Sequence, residues 1–135
     1  MSAGYSGTPL VRKLGIREGH RVCYVNPPEQ INELVGELPD GCRQLARLSG
    51  PLDVIVCFVT QRRVLEQRLA ALRRAMAPAA GLWIAWPKKA SKVPTDMTED
   101  VVREIALPTG LVDNKVCAID ETWSGLRLVI RKELR

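Results

Sequence analysis

Trp86, Lys88, Lys89 and Ser91, in the string WPKKAS, combine a flat apolar ring with two cations and a hydroxyl behind the rigidifying Pro87. Such residues stack on a flat ligand and hold an anion. The chain offers further groups of this kind: Trp123 after the acids Asp120 and Glu121, Thr60 with Gln61 and Arg62, and Asn26 in VNPPE. Each follows a run that reads as a β-strand, and in an open α/β sheet ligands bind outside the carboxyl ends of the strands. Asn26, Thr60, Arg62, Trp86, Lys88, Lys89, Ser91 and Trp123 are therefore the ligand-binding candidates. Two of them have a competing structural role. Trp86 either stacks on a ligand or packs beneath its loop, with Trp83 read onto the same sheet face as part of an aromatic core. Trp123 either closes the open end of the sheet as a lid, with Ser124 and Gly125 making the turn, or faces Trp86 across a cleft.

Groups suited to catalysis are scarcer. Asp120 and Glu121 are neighbours on a strand, so they point to opposite faces and cannot act as an acid/base pair. The only histidine, His20, begins the first strand, at the opposite end from the cleft. Cys23, Cys42, Cys57 and Cys117 have neither CxxC nor finger-like spacing, and three lie in apolar runs. They read as reduced, buried thiols rather than metal ligands or disulfides. No catalytic residue, metal or cofactor is assigned.

The elements that must position these residues follow from hydrophobic periodicity. Thr8 reads as the cap of a short helix with Pro9 at its first position and Gly15 as its stop. HRVCYV is a buried strand, followed by a helix carrying Ile31, Leu34, Val35 and Leu38 at i, i+3, i+4 and i+7. Asn26 caps that helix with Pro27 in its first turn and Glu29 closing a capping box, unless Asn26 is a ligand. PLDVIVCFVT is a strand covered on both faces, and a helix from Gln61 to Met76 lines up Leu65, Leu69, Leu72 and Met76. GLWIAWP is another buried strand. Beyond the loop KKASKVPT, Asp96 and Glu99 have the spacing of a capping box for a helix ending near Leu107, before Pro108. Two strands, VDNKVCAIDE and LRLVIRK, close the chain around the turn TWSG. The segment CRQLAR fits less easily, because LSGP is too short for a parallel crossover of about a dozen residues. It reads as a short or antiparallel edge strand, or as a loop.

This succession predicts a single three-layer α/β domain over residues 9–135, Rossmann-like, with a mostly parallel sheet and a C-terminal antiparallel hairpin. Residues 1–8 read as a flexible tail. The 135 residues are enough to bury roughly two-thirds of the unfolded chain's surface without a staple. No leader pattern and no membrane-length apolar run is visible, so a cytoplasmic protein without a membrane partner is expected.

The order of elements, from RVCYV to the final WSGLRLVIRK, resembles a shortened class I S-adenosylmethionine-dependent methyltransferase. The strings YSGTPLVRKLGI, GLWIAWPKKAS, TEDVVREI and GLVDNKVCAIDETWSGLRLVIRK resemble the bacterial domain-of-unknown-function family three thousand and fifty-two, which implies a fold rather than an activity. Methyltransferases of this kind carry a glycine-rich turn after the first strand and an acid ending the second. Here the turn holds Pro27 and Pro28, and Arg47 stands where the acid is wanted. NPPE also resembles the Asn-Pro-Pro-aromatic motif of amino-methyltransferases, but it follows a different strand and has Glu29 in place of the aromatic.

The sequence therefore points to a binding or regulatory protein on a degenerate methyltransferase-like fold, without S-adenosylmethionine activity and with an unknown small molecule or protein as partner. The alternatives are an enzyme, as an atypical methyltransferase or another nucleotide user, and a basic nucleic-acid adaptor. The adaptor would use Arg62, Arg63, Arg68, Arg73 and Arg74, set against a lone Glu66 on one helix. With a formal net charge of +5 and no aromatic interleaving, nucleic-acid binding is expected to be weak, and a solvated face explains the arginines equally well.

Overall fold

The computed structural model describes residues 7–135, so most of the tail expected over residues 1–8 lies outside the described residues. Strands β1 (Arg21–Val25), β2 (Arg43–Leu45), β3 (Leu52–Phe58), β4 (Met76–Pro87), β5 (Leu111–Ala118) and β6 (Trp123–Ile130) form one sheet in the order β2-β1-β3-β4-β6-β5. β1 to β4 are mutually parallel, and β6 runs antiparallel to both β4 and β5. This is the mostly parallel sheet with a C-terminal hairpin that the sequence implies.

Helices cover both faces. On one side α1 (Leu10–Lys13) and α2 (Ile31–Val35) supply Leu10, Ile31 and Val35 to a cluster with Val22, Val54, Val56, Phe58 and Trp83. On the other, α3 (Arg62–Ala75) and α4 (Glu99–Ala106) supply Leu65, Leu69, Leu72 and Val102 to a cluster with Ile55, Cys57, Ile84 and Trp86. Period-two alternation along β3 divides the two sets, since Val54, Val56 and Phe58 face one layer and Ile55 and Cys57 the other. Trp83 is fully buried, and its indole N–H is satisfied by the Leu14 carbonyl at 3.0 Å, which fastens the end of α1 to the sheet. Among the described residues no helix is long and apolar enough to cross a membrane.

Several local expectations change. Trp83 and Trp86 are three positions apart, so alternation sends them to opposite faces: Trp83 joins Tyr24 and Phe58 on the α1/α2 side, and Trp86 lies in the other cluster. At α1 it is Pro9 that stands at the cap, extended at ψ 142°, and no side chain caps the helix, Thr8 included. The helix after β1 begins only at Ile31, with Gln30 before it, so Asn26, Pro27 and Glu29 form no capping box. It lasts little more than one turn, because Gly36 takes φ 84°, leaving Leu38 outside the helix but packed against its cluster. Thr98, not Asp96, caps α4, its hydroxyl accepting from Val101 N at 3.1 Å. The hairpin turn comprises residues 119–122, so Ser124 and Gly125 belong to β6, and Asp120 and Glu121 lie in the turn rather than on a strand.

CRQLAR contains β2, which is short and at the sheet edge but parallel to β1. β2 stops level with Cys23, halfway up the sheet. The return to the level of Leu52 is therefore only about three residues of rise, ~10 Å, plus two strand spacings, ~10 Å. Residues 46–51 span that diagonal; the dozen-residue minimum applies to strands that run the full height of a sheet.

Candidate functional site

At the carboxyl edge β1 and β3 are neighbours whose onward connections diverge, β1 leading to β2 on one side and β3 to β4 on the other. This is the topological switch point at which open α/β sheets form their crevice. Asn26, the residue after β1, has φ 53°, in the left-handed region that asparagine tolerates better than most residues. Its amide Nδ2 donates to the Phe58 carbonyl at the end of β3, at 3.3 Å, bridging the two strands. Pro27 and Pro28 follow and have no N–H to offer. Trp123 meets Phe58 edge-on, with ring centroids 5.1 Å apart and planes at 90°. Asn26, Phe58 and Trp123 thus form one group, on the α1/α2 side.

Thr60, Arg62 and Trp86 lie on the α3/α4 side, and Lys88, Lys89 and Ser91 in the loop that follows β4. Thr95 Oγ1 donates to the Thr60 carbonyl at 2.6 Å, and the next residue, Asp96, accepts from Arg62 N at 2.7 Å. Asp96 therefore caps α3, where its charge meets the positive end of the helix dipole. The Arg62 guanidinium is held by Glu104 at 2.7 Å and Glu66 at 3.3 Å, hydrogen bonds that raise its pKa. Ser91 Oγ donates to the Lys88 carbonyl at 2.6 Å and accepts from Val93 N at 3.3 Å, an arrangement that shapes its own loop. Lys88 N donates to Thr122 O at 2.7 Å, tying this loop to the hairpin turn. Lys89 is exposed, whereas Trp86 is only 7% exposed and belongs to the core cluster.

All eight sequence-derived candidates lie at the carboxyl edge, but Asn26 and Trp123 are divided by the sheet from Thr60, Arg62 and Trp86. Trp86 and Trp123 do not face one another. Asp120 organises the hairpin turn, its Oδ1 accepting from Thr122 N at 2.8 Å and Trp123 N at 2.7 Å. Cys23 and Cys57 are buried while Cys42 and Cys117 are half-buried, and all four are free. Among the described residues no group of histidine, cysteine and acidic side chains is arranged to hold a metal. The arginine face of α3 is also smaller than its sequence suggests. Arg62 is ion-paired, and Arg73 is half-buried with its Nε lacking a hydrogen-bond partner, leaving Arg63, Arg68 and Arg74 exposed.

The chain is similar in fold to several solved methyltransferase structures. A SAM-dependent methyltransferase from Aquifex aeolicus is 18% identical, with 94% of this chain and 91% of that chain aligned at a TM-score of 0.65. The fold is methyltransferase-like. Aeropyrum pernix fibrillarin, solved with natively bound S-adenosyl-L-methionine, is 13% identical over 93% of this chain and 70% of its own, with a TM-score of 0.55. TrmN from Thermus thermophilus is 13% identical over 90% of this chain but only 47% of its own, with a TM-score of 0.59. No protein-family model and no curated protein matches the sequence. Similarity at these identities carries the fold and leaves the activity to be argued from the site.

Sequence reasoning missed a second feature, at the opposite edge of the sheet. Beneath the loop that ends α1 lies a pocket of about 590 Å³ lined by Arg12, Lys13, Arg17, Lys115 and Arg127, with Asp53 its only acid among the described residues. The signal was the β5–β6 register, which pairs Ala118 with Ser124 and so sets Lys115 directly opposite Arg127.

Proposed function

We propose that the chain is a small binding or regulatory protein on a methyltransferase-like fold, and that it does not use S-adenosylmethionine. The observation carrying this reading is the switch point, where the Asn26 amide is bonded to Phe58 O and two prolines stand in the turn that supplies backbone N–H groups in dinucleotide-binding relatives of the fold. The end of β2 supports it, because Leu45 is followed by Ala46 and Arg47 where an acid would hold ribose hydroxyls. The same reading takes residues 9–135 as one domain, the chain as a member of family three thousand and fifty-two, and the protein as cytoplasmic, in keeping with four free thiols.

The rim provides separate surfaces for a small molecule or protein: Asn26 and Trp123 on one side, Thr60 and Arg62 on the other, with Lys88 and Lys89 in the loop tied to the hairpin turn. Trp86 and Ser91 support the second surface from within. The enzyme alternative rests on fold likeness alone. The nucleic-acid alternative rests on three exposed arginines, which suit only weak, salt-sensitive attachment.

Calorimetry with S-adenosylmethionine tests the proposal. A dissociation constant weaker than ~100 μM is expected, and one of ~10 μM or tighter, about −7 kcal/mol, would overturn it. Native mass spectrometry of protein taken from its own host would identify a retained molecule or partner.

A further inference from the structure

The pocket at the amino edge lies away from the methyltransferase-type crevice and has a different chemistry. Five side chains of full positive charge line it, against one carboxylate. That carboxylate is engaged, since Asp53 Oδ2 accepts from Arg21 N at 2.8 Å. Among the described residues Arg12, Arg17, Lys115 and Arg127 form no ion pair. Lys115 Nζ donates to the Lys13 carbonyl, and Arg127 Nη1 to Asn114 Oδ1, each at 3.3 Å, so neutral acceptors orient both cations without neutralising them.

The fold keeps these charges together at a cost. Lys115 and Arg127 are cross-strand partners, and like charges directly opposite one another in a ladder are destabilising. Arg127 lies over Gly81, where a Cβ would come within 2.5 Å of its Nε, so the absence of a side chain there leaves room for the guanidinium. Burial and the nearby Arg135 and Arg17 lower the Arg127 pKa, the condition of a cation awaiting a counter-charge. The Trp83 bond to Leu14 O holds the end of α1 beside the pocket, so the site is built on rigid elements.

We propose that this pocket binds a compact ligand carrying several linked phosphate groups, as an inorganic polyphosphate or a polyphosphate ester. Five cations converging on about 590 Å³ call for several negative charges in a small volume, which a short phosphate chain supplies. Among the described residues the one ring in the lining is the His20 imidazole, whose Nδ1 is engaged by Arg17 N at 3.1 Å, and the apolar side chains are Val54 and Ala79, so no Phe, Tyr or Trp is placed to stack on a base. The phosphates themselves are what the site reads.

Calorimetry with sodium tripolyphosphate tests this in the intact protein. Saturable binding is expected, weakened about tenfold or more in both Arg127→Gln and Lys115→Gln, since charge-assisted bonds to phosphate are among the strongest polar contacts. Arg127→Lys, which keeps the charge but loses the fork, should retain part of the affinity. Arg63→Gln/Arg68→Gln, on the other face, should change it by less than about twofold. Without ligand, Lys115→Gln should melt no lower than the parent, because it removes one of two facing cations, while tripolyphosphate should raise the parent's melting temperature far more than the variant's. Adenosine triphosphate should bind about as well as tripolyphosphate; a preference of about tenfold or more for the nucleotide would overturn the assignment, because it would show a base being read. Three other results would also overturn it: no binding at ~1 mM tripolyphosphate, unchanged affinity in both glutamine variants, or tighter binding of single-stranded RNA than of tripolyphosphate at equal salt.

Discussion

Trp86 and Trp123 stand on opposite faces of the sheet, although their strands are hydrogen-bonded to each other. β4 pairs Trp86 with Ser124 and Pro87 with Trp123, so the two indoles are one position out of step. Trp86 belongs to the α3/α4 core and Trp123 to the α1/α2 side. Trp86→Ala should cost about 3–5 kcal/mol of stability, as large-to-small changes at buried aromatics do. Trp123→Ala should cost less, because its ring is partly exposed. In urea titrations the double variant should equal the sum of the singles within about 0.5 kcal/mol, and a larger coupling would contradict their separation.

Asp96 fastens the long loop after β4 to the start of α3 through a single bond, to Arg62 N. Asp96→Ala should destabilise the protein by about 1 kcal/mol, and Asp96→Asn by less, because an amide oxygen still accepts but carries no charge. Chemical denaturation of the three proteins under one set of conditions gives the comparison.

Asn26 combines a left-handed backbone with a side-chain bond. Asn26→Ala should lose both benefits and about 1–2 kcal/mol, whereas Asn26→Gly should lose only the bond and remain the more stable of the two. An alanine variant as stable as the glycine variant would count against the positive φ. Neither change should produce tight S-adenosylmethionine binding, because Pro27 and Pro28 remain.

Cys57 predicts a direction for alkaline stability. Burial pushes its pKa from 9.0 to about 11, with Arg68 opposing and Cys23 adding to the shift. An unfolded chain gives up this proton near pH 9 while the folded protein keeps it to about 11. Between those values the unfolded state binds fewer protons, so stability falls as pH rises, by something on the order of 2–3 kcal/mol. Tyr24, raised to about 12 mainly by burial, extends the decline. Cys57→Ala should flatten the profile between pH 9 and 11, and denaturation curves across that range measure it.

Much of the architecture is legible in the sequence because its signals are local. The apolar runs of β1, β3 and β4, and the Leu65, Leu69, Leu72 stripe of α3, require no knowledge of their neighbours. The errors lie where a distant partner decides. Asp96 has good spacing for capping its own helix, yet it caps α3. Asn26 has the type and spacing of a helix cap, yet it reaches to Phe58 on another strand. The carboxyl-edge rim was readable from strand order, while its division into two groups depends on whether each residue is odd or even along its strand. The basic pocket was hidden for a related reason: the pair Arg12 and Arg17 is far in sequence from the pair Lys115 and Arg127, and the two meet only when α1 and the hairpin close over the amino edge.

The shortness of β2 has a consequence for how copies of this chain meet one another. A full-length strand in that place would present a row of unpaired amides and carbonyls, a template onto which another chain could add. Three residues ending halfway up the sheet, with Arg43 and Arg47 exposed, offer too little ladder and too much charge for that. The opposite border is blunted differently, since β5 shifts register between Asp113 and Lys115 and exposes Asn114 and Lys115 there. Both open borders thus resist self-templating, and a crowded solution of this protein has little opportunity to grow into fibres by strand addition.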